Sequence, residues 1–93
     1  MRLSQREISA IKKNVLRFDP EAKIYLFGSR VNDNAKGGDI DVLVISEKIG
    51  FGEKLKITTG IFKEIDEQKL DLVVKKDFND VFVKMIEPNL QSL

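Results

Sequence analysis

The stretch KIYLFGSRVNDNAKGGDIDVLVI, residues 23–45, holds two apolar runs and a polar link between them. Ile24 to Phe27 is short and rich in β-branched and aromatic residues, the composition of a strand. Val42 to Ile45 is apolar at every position, which suits an interior strand covered on both faces. The link from Arg30 to Gly38 carries Asn32, Asp33, Asn34 and two glycines, the residues of a surface turn. The two runs are therefore read as sheet neighbours. Gly28-Ser29 closes the first and Asp39-Ile40-Asp41 opens the second, so a tight turn and two carboxylates lie at neighbouring strand ends.

Working outward, Ser4-Gln5-Arg6-Glu7 forms a capping box, and Ile8, Ile11, Val15 and Phe18 follow at spacings of three and four. That pattern predicts a first helix, ended at Asp19-Pro20. Downstream, Ile57, Ile61, Phe62 and Ile65 give a second helical stripe between about Phe51 and Gln68. Gly60 weakens it by about 1 kcal/mol against alanine. Leu70 to Val74 predicts a third strand. Asp77 is placed as the cap of a last helix, with Val81, Phe82, Met85 and Ile86 facing inward until Pro88. Lys75-Lys76 are read as solvated, and Phe18, Phe62 and Phe82 as core.

Composition narrows the function classes. A chain of 93 residues forms one domain, 1–93, at the small end of what folds alone. A partner subunit would add to so small a core. Sixteen Lys and Arg against 15 Asp and Glu give a net charge of +1, which offers no broad attraction for nucleic acid. With no cysteine and no histidine, the chain has no disulfide, no thiolate or imidazole zinc site, and no Ser-His or Cys-His nucleophile. Any metal must be held by oxygen, which favours magnesium, calcium or manganese. The opening MRLSQREIS lacks a signal-like apolar core, and no apolar run approaches the ~20 residues that span a bilayer. A cytoplasmic protein is expected.

Residues two apart on a strand point the same way, with Cα atoms roughly 6.5 to 7 Å apart, so Asp39 and Asp41 share a face. Eight aspartates in this chain produce an Asp-x-Asp about 0.7 times by composition alone, so the pair acquires meaning only from its place at the mouth of an apolar strand. Asp71, in KLDLVV, is a charge within a second apolar run and needs a partner or a metal. Gly28 lets the chain turn without a Cβ, Ser29 offers a hydroxyl beside backbone amides that a phosphate could approach, and Arg30 could neutralise a triphosphate or lie on the surface. Together these residues point to metal-assisted transfer from a nucleoside triphosphate. A calcium loop beginning at Asn32 fails, because Lys36 and Leu43 fall where oxygen ligands belong. No Walker-type or Gly-x-Gly-x-x-Gly motif occurs.

GSRVNDNAKGGDIDVLV resembles the Gly-Ser, spacer, Asp-x-Asp signature of the polymerase-beta-like nucleotidyltransferases, and the whole chain resembles their smallest branch, the minimal nucleotidyltransferases. The likeness runs from Ile24 through Val74, with Gly38 standing where serine often precedes Asp-x-Asp. It implies an α/β (α+β) fold, a small mixed sheet of three or more strands with helices on one face and the active site on the other. Gly28 and Ser29 would hold the triphosphate of ATP. Asp39, Asp41 and Asp71 would hold two magnesium ions, with Asp71 drawing the proton from an acceptor hydroxyl. Members of this branch often pair with a small helical protein of the HEPN class as antitoxin and toxin, transferring AMP to a partner tyrosine. The resemblance thus implies a hetero-oligomer. A non-catalytic module that masks a helical partner, or a nucleotide sensor without turnover, are the alternative readings.

Overall fold

The computed structural model describes residues 3–28, 39–65 and 70–93. Helix α1 spans Gln5–Phe18 and opens on the predicted capping box: the Glu7 amide donates to Ser4 Oγ at 3.1 Å, and Glu7 Oε1 accepts from the Ser4 amide at 2.9 Å. Strand β1 follows at Lys23–Phe27, β2 at Ile40–Ile45, helix α2 at Phe51–Glu64 and β3 at Leu70–Lys75. Helix α3, Val81–Ile86, a short 3-10 turn and a two-residue strand β4, Gln91–Ser92, complete the order.

The strands form one mixed sheet in the order β3-β2-β1-β4. β1 runs antiparallel to β2, and β2 runs parallel to β3 through the α2 crossover. The apolar β2 is an interior strand, as its composition predicts, with Val42, Leu43 and Val44 buried. Strand periodicity sorts its side chains between two cores. Ile40, Val42 and Val44 join Leu26, Leu72 and the inner stripes of α1 and α2. Leu43 and Ile45 face the other way, with Tyr25, Phe27, Val73 and Val83 of α3. Thus α1 and α2 lie on one face, and the short α3 covers part of the opposite one.

Helix α3 departs from its predicted phase. Its cap is Asp80, whose Oδ1 accepts from the Phe82 amide at 2.8 Å and the Val83 amide at 3.3 Å; Asp77 instead accepts from the Asn79 amide in the preceding turn. The inward residues are Phe82, Val83 and Ile86, whereas Val81 and Met85 are exposed. Both sets fit a helical period, and contact decides between them. The Phe82 ring meets Phe27 edge-on at 5.8 Å, and Phe78 meets Tyr25 in the same manner at 5.8 Å. Lys75, expected in solvent, is half-buried and pairs with Asp80 at 3.7 Å, tying β3 to the start of α3.

Gly60, read from sequence as a weak point of α2, is where the two long helices touch. A Cβ there would collide with the side-chain oxygen of Asn14. Asn14 is buried, and its amide nitrogen donates to the Ala10 carbonyl at 2.8 Å and to Glu64 at 2.9 Å. At the far end of the sheet the buried Asp19 accepts from the Ser46 hydroxyl at 2.6 Å and from the Glu21 amide at 3.0 Å. Ser46 Oγ in turn accepts the amides of Lys48 and Ile49. Among the described residues no helix is long and apolar enough to cross a membrane.

Candidate active site

Three strands bring one row of residues together. Phe27 on β1 is the register partner of Asp41 on β2, and Asp41 is the register partner of Asp71 on β3. Register partners point to the same face, about 4.8 Å apart along the hydrogen-bonding direction. The row therefore places two carboxylates side by side, beside an aromatic ring, on the face that α3 shares. Asp39 lies one residue before the start of β2, two residues from Asp41. Asp39 and Asp41 are half-buried and Asp71 is exposed. The parallel β2–β3 pairing accounts for this convergence, since both strands begin at the same end of the sheet.

Gly28 is fixed against this row. Its φ is 76°, in the left-handed region that side chains disfavour. A Cβ at this position would run into Asp41 Oδ2 and would stand 3.1 Å from Asp41 Cγ. The turn at the end of β1 thus leaves open a space that the Asp41 carboxylate fills. Ser29 and Arg30, and the loop through Gly38, lie outside the described residues.

Asp39 and Asp41 are each engaged by other groups of the chain. Among the described residues no set of three acidic side chains gathers to metal-binding distance. The backbone register, and not a closed cluster of side chains, is what unites Asp41 and Asp71, and Asp39 lies immediately before β2. As a donor set they fit a hard divalent ion: all are carboxylates, and all lie at the same end of the sheet, next to the side-chain-free backbone of Gly28. Such an arrangement can offer charged oxygens to a cation.

The aromatic neighbourhood of the row was not legible in the sequence. Phe27 lies next to Asp41 by register, and Phe82 backs Phe27 from α3. The alternation of Tyr25 and Phe27 is the signal that could have placed Phe27 on the carboxylate face, once the β1–β2 register was known.

A sequence profile for the nucleotidyltransferase domain matches residues 8–92. A search of curated proteins finds no match to the chain.

Proposed function

The chain belongs to the nucleotidyltransferase domain family, and on that premise we propose that it transfers AMP from ATP to a tyrosine hydroxyl of a partner protein. The observation that carries this reading is the row in which Asp41 stands beside Asp71, with Gly28 closed onto Asp41. In the proposed reaction Asp39 and Asp41 would hold magnesium ions, and Asp71 would complete the set. When bound, these ions stabilise negative charge on the attacking and leaving oxygens. Gly28 and Ser29 would hold the triphosphate, with Arg30 as a further neutralising charge. Asp71 accepts the proton of the acceptor hydroxyl, whose oxygen forms a bond to the α-phosphorus. The bond from the α-phosphorus to the bridging oxygen breaks, and pyrophosphate leaves.

The partner in this reading is a small helical protein of the HEPN class, with the present chain as antitoxin. Support comes from the resemblance of Gly28-Ser29 and Asp39-x-Asp41 to the minimal branch of the family, and from the small core.

Calorimetric titration with magnesium and each nucleoside triphosphate tests the site without knowledge of the acceptor. We expect ATP binding that requires magnesium and is lost in Asp41→Asn, with transfer of label from α-labelled ATP to protein in a lysate. Unchanged metal-dependent binding in a folded Asp41→Asn variant would sink the proposal. Binding without transfer to any protein would favour nucleotide sensing instead.

A further inference from the structure

On the sheet face away from the aspartates, α1 and α2 border an open cleft of about 530 Å³, within the range of ligand-binding clefts. Among the described residues, four cations line it, Lys13 and Arg17 from α1 and Lys56 and Lys63 from α2, against the single carboxylate of Glu64. Glu64 is already committed: Lys13 pairs with it at 3.1 Å and Asn14 donates to it at 2.9 Å, contacts that hold its carboxyl below the usual carboxylate range. Lys56 and Lys63 have no carboxylate partner among the described residues. Among the described residues, positive charge is thus concentrated in this cleft.

Apolar side chains from both helices line the cleft as well. Phe18 and Leu55 line it, Leu55 is 53% exposed, and Phe51, one turn earlier on α2, is 74% exposed. Adjacent large apolar side chains in solvent, flanked by cations, mark a surface that another molecule covers. A second copy of this chain is disfavoured as that molecule, because apposing the two clefts would set four cations against four. The floor is firm, since Asn14 and Gly60 bring the helices into direct contact there.

We propose that this cleft docks an acidic amphipathic helix of a partner protein, its apolar stripe on Phe18, Leu55 and Phe51 and its carboxylates on Lys13, Arg17, Lys56 and Lys63. The docking surface is separate from the aspartate row, which lies on the other side of the sheet. A partner held here leaves that row uncovered.

The test uses a fluorescent helical peptide of about eighteen residues, with leucines at spacings of three and four and glutamates elsewhere. A lysine counterpart and a peptide with scrambled leucines serve as controls. Anisotropy should show binding of the acidic amphipathic peptide alone, weakened about tenfold or more in Lys56→Glu/Lys63→Glu and also weakened in Leu55→Ser. Circular dichroism checks that both variants fold. Equal binding of either control peptide, indifference to both variants, or no binding below about 1 mM would overturn the proposal. So would displacement of the peptide by inorganic phosphate or by a single-stranded oligonucleotide at matched ionic strength. Magnesium-ATP titration of Lys56→Glu/Lys63→Glu should match the parent, so failure of the nucleotide site and failure of the docking cleft are read separately.

Discussion

The carboxylate of Asp41 occupies the space that a side chain at position 28 would need, and Gly28 holds a φ of 76° beside it. The strand-ending turn and the metal-binding candidate are therefore one steric unit. Gly28→Ala should cost about 1 to 2 kcal/mol from its backbone conformation and should also displace Asp41. Urea unfolding reads the first effect. The second is a loss of magnesium-dependent ATP binding larger than the stability loss explains.

Asp71 is exposed and stands beside Asp41 in the sheet. If it takes the acceptor proton, Asp71→Asn should lower the transfer rate by about a hundredfold or more while leaving much of the ATP affinity in place. Asp41→Asn should lose both. Equal loss of binding in the two variants would assign Asp71 to nucleotide binding instead of proton transfer.

A glycine in an exposed helix interior normally gains stability on becoming alanine, by about 1 kcal/mol. At Gly60 the sign should reverse, because the new Cβ meets the buried Asn14. We expect Gly60→Ala to destabilise by about 1 to 3 kcal/mol. The double variant with Asn14→Ala should be more stable than the two single losses added together. Thermal unfolding of all four proteins closes the cycle.

Asp19 accepts from the Ser46 hydroxyl, which with the Glu21 amide and the charge of Lys48 holds its carboxyl below its ordinary value of 3.8 against the opposing effect of burial. A depressed folded-state pKa contributes stability that is present above pH 3.8 and lost as pH falls through the lower folded value. Ser46→Ala removes the largest depressing contact, so the variant should be less stable than the parent at neutral pH, with the gap narrowing as pH falls below 3.8. Urea midpoints measured from pH 7 downward give the comparison, and superimposable acid profiles would contradict it.

Much of this architecture was legible because local rules sufficed. Ser4 and Glu7 cap α1 through contacts three residues apart, and the β-branched runs at Ile24, Val42 and Leu70 match strands whose burial follows from their composition. Strand β4 escaped because Gln91 and Ser92 are polar, and their pairing with Leu26 and Tyr25 is set by β1. The phase of α3 escaped because two sets of residues satisfy the same period, and the ring contact between Phe82 and Phe27 selects one.

The sequence by itself determined strands β1, β2 and β3, the long helices and the candidacy of Asp39, Asp41 and Asp71, since periodicity, caps and charges in apolar runs are properties of neighbours along the chain. Only the tertiary structure decided that Asp41 stands beside Asp71, that Gly28 makes room for Asp41 and that Gly60 makes room for Asn14. The reason is steric: strand register and helix contact are fixed by close packing between segments dozens of residues apart, and that packing leaves no local signature.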